Sequence, residues 1–249
     1  MLNKGVVTMT QVEVAATIAP KFEATEELLT QLKENAAAID IIELRIDQRE
    51  TFDQEALEAL TAALHEAHQT AKILVTYRTS SQGGKGEESE TAYYELVEAL
   101  IELSGIDMID IEWEEQNKLR IEQLVKKAQA YDLEVVLSQH DFKQTPPLEN
   151  LKFTYFKMSK TGADYIKLAV MPNTAEDVTH LLDALYISSE SVGAKVIGIS
   201  MSQLGLVSRT AQGVFGGTVS YGALGEAQAP GQIHVSKLKE LLTLYDINK

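Results

Sequence analysis

Residues 39–79 contain IDIIELRID (39–47), then DQEALEALTAALHEAHQ (53–69), then KILVTYRT (72–79), and this order of patterns indicates the fold class. The first and third segments are short and rich in β-branched apolar residues, which is typical of strands. The middle segment repeats apolar residues at helical spacing, which predicts an amphipathic helix. A strand, a helix and a strand in this order form a parallel crossover unit.

The same alternation continues along the whole chain. Candidate strands occupy residues 12–19, 39–47, 72–79, 108–113, 135–141, 165–171, 196–201 and 217–221. Helical patterns occupy residues 23–37, 53–69, 89–105, 121–132, 175–191 and 235–246, and Thr25 and Asn173 are suited to cap two of them. Eight such units in 249 residues predict an α/β fold, a single (β/α)8 TIM barrel with residues 1–249 as one domain. An open doubly wound sheet is the structural alternative, because periodicity alone does not show closure.

Composition restricts the partners and the chemistry. The formal net charge is −15, which disfavours contact with nucleic acid or an anionic membrane, so we expect neither as a partner. The chain has no cysteine, which excludes disulfides and thiolate catalysis. The opening MLNKGVVTMTQVEV lacks the apolar core of a signal peptide, and no run has the length of a membrane span, so we expect a cytoplasmic protein. No metal-binding spacing of His or carboxylate residues appears.

Charged residues interrupt several candidate strands, although parallel strands are normally buried on both faces. Since side chains alternate along a strand, Glu43, Arg45 and Asp47 share one face. Faces are likewise shared by Thr76 with Arg78, Asp110 with Glu112, Ser138 with His140, and Tyr165 with Lys167. These residues concentrate at the carboxyl-terminal halves of the strands, where the active sites of barrel enzymes lie. The alternative is a structural layer of ion pairs inside the barrel.

Three arginines follow the same trend. Arg45, Arg78 and Arg209 fall at predicted strand ends or in the loop after a strand. On an acidic protein, arginines gathered at one rim suggest an anionic substrate held by bidentate contacts.

Lys167 and His140 are the candidate catalytic pair. Lysine rarely occupies the middle of a buried strand, and desolvation there lowers its pKa and yields the neutral amine that imine formation needs. The alternative is an inward lysine paired with Asp110 or Glu112. His140 ends the preceding strand, where an imidazole can move protons beside that amine. The other histidines lack convergent partners and are expected to be solvated: His65, His68, His180 and His234.

Seven motifs in this order and spacing resemble a known family, type I 3-dehydroquinate dehydratase, whose members act through a lysine Schiff base. They are ELRID (43–47), TYRT with QGG (76–79, 82–84), DMIDIE (107–112), SQHDFKQTP (138–146), KLAVMP (167–172), SRTAQGVFGG (208–217) and APGQI (229–233). The resemblance implies a hydro-lyase of the shikimate pathway that dehydrates 3-dehydroquinate, its small-molecule substrate, to 3-dehydroshikimate. It implies no metal and no organic cofactor, and it suggests a homodimer.

The resemblance also assigns roles. It makes Lys167 the imine-forming residue and His140 the group that removes the C2 proton and protonates the leaving hydroxyl. Substrate binding falls to Glu43, Arg45, Arg78, Arg209 and Gln232, with Arg209 on the substrate carboxylate. The segment 223–232 is expected to be a mobile loop that closes over the substrate.

Two positions depart from the pattern of some members. Gln82 stands where they carry a glutamate bonded to the catalytic histidine, so Asp110 is the hypothesised orienting group for His140, with Glu112 as a second supporting acid. Gln228 stands where they carry a substrate-contacting serine, and Thr17 aligns with another family serine. Two other readings stay open at this point: a class I aldolase, which shares the buried lysine, and a catalytically silent barrel that serves as a binding module.

Overall fold

The computed structural model describes residues 10–49 and 53–245. Its strands are β1 Glu13–Ile18, β2 Ile41–Arg45, β3 Lys72–Thr76, β4 Met108–Glu112, β5 Glu134–Asp141, β6 Tyr165–Val170, β7 Lys195–Ser200 and β8 Val219–Ala223. Its helices are α1 Glu26–Glu34, α2 Gln54–Ala67, α3 Glu90–Leu100, α4 Lys118–Ala130, α5 Leu148–Ser159, α6 Ala175–Ser191, α7 Leu206–Thr210 and α8 Val235–Thr243.

The strands form one parallel sheet that curls into a barrel. Their order is β7-β6-β5-β4-β3-β2-β1-β8, so β8 returns to pair with β1. A doubly wound sheet would reverse its strand order in the middle, and this one does not. The predicted (β/α)8 barrel is therefore confirmed, and the open sheet is wrong.

The alternation of side chains divides the core into two layers. Ile42, Leu44 and Ile46 point outward and pack between the barrel and its helices. Residues such as Ile41 and Val136 point inward and fill the barrel near the amino-terminal ends of the strands. The polar residues of the inward faces therefore gather at the carboxyl ends, as their spacing predicted.

Two helices were not anticipated. In α5, the buried residues Leu151, Tyr155 and Met158 have helical spacing, but the exposed Phe153 and Phe156 obscure the pattern. The helix α7 is only five residues long, too short for a periodic signal.

Other differences are local. The eighth strand lies two residues later than predicted at both ends, because the N–H of Gly217 bonds to Gln212 O and belongs to the preceding turn. Thr25 caps α1 as predicted, whereas α6 is capped by Thr174 and not by Asn173. His68 is buried, accepts from Ala71 N and contacts Ala36 O, so the expectation that it is solvated was wrong.

Parts of several predictions lie outside the described residues. The proposed single domain includes residues 1–9, 50–52 and 246–249, and the last helical pattern includes residue 246. No helix within residues 10–49 and 53–245 has both the length and the apolar composition that a membrane crossing requires. Within that same part of the chain, no group of three or more His, Cys, Asp or Glu side chains is placed to hold a metal ion.

Candidate active site

A cavity with about 520 Å³ of atom-free space, part of it continuous with solvent, lies at the carboxyl ends of the strands. Ten of the twelve residues predicted for the site line it: Thr17, Glu43, Arg45, Arg78, Gln82, His140, Lys167, Arg209, Gln228 and Gln232. Asp110 and Glu112 do not line it and instead bind Arg78 from behind. The cavity thus brings the candidate lysine, histidine and arginines into one small volume.

Lys167 projects from the middle of β6 into this cavity and is 5% exposed. Its Nζ lies 3.6 Å from the centroid of the Tyr221 ring. Burial lowers the pKa of the amine to about 8, although Glu43 and Asp110 oppose the shift. Within the described chain the acids of β4 form ion pairs with Arg78, so the alternative of a Lys167 ion pair with them is wrong. The amine is thus poised to lose its proton near neutral pH.

His140 lies on β5, two residues after Ser138, and Ser138 is the residue that pairs with Lys167 in the strand register. His140 therefore points inward one position closer to the carboxyl end of the barrel. Its ring is partly exposed to the cavity and lies against Phe142, with 6.5 Å between centroids. Burial, followed by the charges of Arg78 and Lys167, holds the pKa of His140 well below its ordinary value. The imidazole is therefore neutral at pH 7 and able to accept a proton.

Gln82 is the residue that orients this imidazole. Its Oε1 accepts from the backbone N–H of His140 at 2.9 Å and lies 3.3 Å from ring Nδ1. A backbone N–H can only donate, so the amide atom facing it is the oxygen, and Nδ1 must then carry the proton. This tautomer leaves Nε2 of His140 as the basic nitrogen. The hypothesis that Asp110 orients His140 is wrong.

Two of the arginines are neutralised inside the barrel. Arg45 binds Asp47 in a bidentate pair, with contacts of 2.8 and 2.9 Å. Arg78 binds Asp110 at 2.8 Å and Glu112 at 3.0 Å, and Ser138 also donates to Asp110. The structural layer of ion pairs considered above therefore exists, but it does not include every charge at the rim.

Arg209 is outside that layer. Its guanidinium is 1% exposed and donates to two carbonyls, Tyr221 O at 3.0 Å and Pro230 O at 3.1 Å. A guanidinium has five N–H donors, so three remain, and Nε has no partner within the described residues. Burial lowers its pKa to about 10, and the charge of Glu43 opposes the shift. A buried cation without a carboxylate partner favours an incoming anion.

A chain of hydrogen bonds lines the part of the cavity wall formed by β1 and β2. Glu43 accepts from Thr17 at 2.7 Å and from Thr76 at 3.2 Å. Burial opposes ionisation of Glu43, but Lys167 and Arg45 outweigh it and lower its pKa. Gln232 donates to Thr17 at 3.0 Å, which connects the segment 223–232 to β1 and β2. This wall presents a carboxylate and an amide to the cavity.

Gln228 contacts Gln48 instead of the middle of the cavity. Its Oε1 accepts from Gln48 Nε2 at 2.9 Å, and its backbone N–H donates to Gln232 Oε1 at 2.7 Å. Pro230 O accepts from Ser202 N at 3.1 Å, so the segment rests on the turn after β7. The expected mobility of this segment stays a prediction.

Sequence reasoning missed the apolar part of the lining. Tyr221, Phe142, Ile199 and Met201 all face the cavity. Period-two alternation on β8 indicates that Tyr221 points inward with Val219, but an aromatic residue on a buried strand carries no signal that separates a site from a core.

These observations define the class: a (β/α)8-barrel enzyme with its site at the carboxyl ends of the strands. A family model described as type I 3-dehydroquinase matches residues 18–249. The chain therefore belongs to the type I 3-dehydroquinase family.

Individual relatives agree with this assignment. The chain is 58% identical, over 241 residues, to a 3-dehydroquinate dehydratase of Staphylococcus carnosus. The match covers 97% of this chain and 100% of the relative. A crystal structure of 3-dehydroquinate dehydratase from Geobacillus kaustophilus has 27% identity and a TM-score of 0.87, and the match covers 96% of this chain and 93% of that one. A type I 3-dehydroquinate dehydratase from Clostridium difficile with covalent modified comenic acid has 29% identity and a TM-score of 0.85, with coverage of 94% and 92%.

Proposed function

We propose that this chain catalyses the syn dehydration of 3-dehydroquinate to 3-dehydroshikimate through a Schiff base on Lys167. The observation that carries the proposal is a buried amine with a pKa of about 8 in one cavity with a neutral imidazole and a carboxylate-free guanidinium. The relative at 58% identity bears the name of this activity.

Lys167 forms the imine, and His140 acts first as a base and then as an acid. Neutral Nζ of Lys167 adds to the ketone carbon of the substrate, and the resulting carbinolamine takes up one proton from solvent and loses its oxygen as water, which leaves a protonated imine. The iminium withdraws electrons from the adjacent carbon, whose proton passes to Nε2 of His140, and an enamine forms. The electron pair of the enamine then expels the β-hydroxyl, which leaves as water with the proton that His140 returns. Hydrolysis of the conjugated imine releases the enone product and the free amine.

The polar side chains of the cavity are matched to the carboxylate and hydroxyl groups of the substrate. The substrate carboxylate meets the Nη N–H donors of Arg209 that are not bonded to Tyr221 and Pro230, since a planar guanidinium suits a planar anion. The ring hydroxyls meet Glu43 and Gln232, and Thr17 supports both through its hydrogen bonds. Gln228 joins this wall at the edge of the site. Arg45 and Arg78 add N–H donors to the cavity lining but no net positive charge, because acids already neutralise them.

Borohydride trapping tests the proposal. The protein is incubated with 3-dehydroquinate, reduced, digested and examined by mass spectrometry, and we expect one adduct on the peptide that contains Lys167. The matched control is Lys126→Met, which removes an exposed lysine of α4 and should leave trapping and turnover unchanged. An adduct on another lysine, or turnover that survives Lys167→Met, would contradict the mechanism.

The same assay separates the other two functions. A class I aldolase would be trapped by dihydroxyacetone phosphate, whereas the proposed dehydratase is trapped by dehydroquinate. A binding module would hold dehydroquinate without the growth of enone absorbance.

We also propose that the enzyme works in the cytoplasm, on the shikimate route to aromatic amino acids, as a homodimer built from one barrel domain per chain. Family membership and the single barrel support this proposal. Light scattering coupled to size-exclusion chromatography measures the mass directly, and a mass near that of one chain would contradict the dimer.

A further inference from the structure

The barrel wall has a seam between β7 and β8. Each strand from β1 to β6 is joined to both neighbours by a ladder. Among residues 10–49 and 53–245, β7 is joined by a ladder to β6 alone and β8 to β1 alone. Within the described residues, the backbone bond at this seam is Thr218 N to Val196 O at 3.0 Å, just before β8 begins. Buried strand edges left without partners destabilise a fold, so other groups must satisfy them.

Side chains from residues 208–212, here called the seam segment, supply those partners. The amide of Gln212 bridges the two strands, accepting from Gly198 N at 3.2 Å and donating to Val219 O at 3.0 Å. The hydroxyl of Ser208 accepts from Ser200 N at 2.9 Å. Both side chains are fully buried. They replace the hydrogen bonds that a β7–β8 ladder would make.

Arg209 lies between these two side chains in the same segment. Its carbonyl accepts from Ser220 Oγ at 2.9 Å, on the outward face of β8. Its guanidinium nevertheless lines the cavity and donates to Tyr221 O. The side chain thus passes through the seam from the outside of the barrel to the inside.

The fit of the segment is tight. A Cβ placed on Gly217 would approach Gln212 Oε1 to 2.1 Å, so the turn before β8 is shaped around that amide. Gln212 has its donor and its acceptor both engaged across the seam, which fixes its position relative to both strands. Arg209 is three residues away in the same segment, and a shift of the segment would move the guanidinium with it.

We propose that Gln212 and Ser208 are positioning residues for Arg209, and that the side-chain bridges of the seam set where this guanidinium meets the substrate carboxylate. The inference rests on the proposed function, since it takes Arg209 as the group that binds that carboxylate. It assigns a role in substrate binding to two residues that do not line the cavity.

A double-mutant cycle tests this assignment. Gln212→Met removes both bridging bonds and keeps a similar volume. We expect kcat/KM for 3-dehydroquinate to fall roughly 10- to 100-fold, because small misplacements of a substrate-binding group have effects of this size. The loss should appear as a higher KM, with a smaller change in kcat. In an Arg209→Met background the same substitution should change kcat/KM by no more than about twofold, because the group it positions is already gone.

Tyr155→Phe is the matched control. The Tyr155 hydroxyl donates to Ile197 O of β7 at 2.7 Å, so its loss also removes a buried bond to this strand, but from the side of α5. Its effect on kcat/KM should be small and equal in both backgrounds. If Gln212→Met does not fold, Ser208→Ala takes its place in the cycle, since it removes the contacts of this hydroxyl with the N–H and the carbonyl of Ser200 in β7 and should also couple to Arg209.

The outcomes are distinguishable. An equal loss for the seam variant in both Arg209 backgrounds would overturn the positioning role. A wild-type protein with neither turnover nor imine trapping would instead contradict the proposed function. A seam effect that vanishes in Arg209→Met, beside an unchanged Tyr155→Phe, supports the inference.

Discussion

Replacing Lys167 with methionine should make the folded protein more stable at neutral pH while abolishing the imine. Burial lowers the pKa of this amine from 10.5 to about 8. A difference of about 2.5 units at 1.36 kcal/mol each means that charging the amine in the folded state costs roughly 3 kcal/mol more than in water. That cost already includes the favourable influence of Glu43 and Asp110. Methionine keeps most of the aliphatic volume and removes the charge.

The pH dependence gives this prediction a characteristic signature. Above a pH of about 10.5 the lysine is neutral in both states, so the substitution should have little effect. Between about 10.5 and about 8 the unfolded chain binds a proton that the folded protein does not, and wild-type stability falls as the pH falls. Below about 8 both states are protonated and the full penalty is present. The advantage of Lys167→Met should therefore be complete at pH 7 and disappear toward pH 10.5.

Urea denaturation of both proteins at pH 7, 9 and 10.5 measures this difference. For a protein of this size roughly 3 kcal/mol corresponds to a rise in Tm of roughly 6–12 °C at pH 7. Lys126→Met is the control, because that lysine is exposed on α4. If Lys167→Met is no more stable than wild type at pH 7, or is stabilised equally at all three pH values, the burial argument is refuted.

Three further predictions concern catalysis. The pH profile of kcat/KM should have an acid limb with an apparent pKa near 8, because the Lys167 amine must be neutral to attack while His140 is already neutral there. Gln82→Glu should raise the pKa of His140 by placing a carboxylate beside it, which imidazole NMR would detect, and should reduce kcat/KM at acid pH relative to wild type. Glu43→Gln should move the acid limb to lower pH, since Glu43 is the largest influence that raises the pKa of Lys167, and should raise KM through weaker binding of the hydroxyls.

The sequence predicted which side chains face the barrel interior, because parallel strands impose a period of two. Glu43, Arg45 and Lys167 could be assigned to the inward face from alternation alone, and their positions along the strands placed them at one end. Alternation depends only on local geometry, which the chain carries within a few residues. It therefore identifies the inward side chains of the site as well as those of the core.

Pairing across strands could not be predicted in the same way. Whether Asp110 or Gln82 contacts His140 depends on the stagger of β4 against β5 and on the path of the loop after β3, and neither is encoded in a local pattern. The contrast between Arg209 and the neutralised Arg78 has the same origin, because it depends on which strands carry acids at the same height. The seam bridged by Gln212 could not be predicted from the sequence either, because a missing ladder between two strands does not change the periodic pattern of apolar residues.

The surroundings of Lys167 resolve two demands that conflict. The amine must lose its charge to attack a ketone, yet it must regain a positive charge on the same nitrogen once the imine is protonated. Burial alone would serve the first demand and oppose the second. The Tyr221 ring face at 3.6 Å contributes about 0.5–2 kcal/mol to any cation at that nitrogen, and Glu43 adds an opposite charge. The carboxylates of Glu43 and Asp110 oppose but do not cancel the effect of burial, so the pKa of the free amine is lowered to about 8. Contacts that favour a positive charge on this nitrogen reduce the fraction of neutral amine available for attack at pH 7. The same contacts stabilise the iminium that forms in the next step.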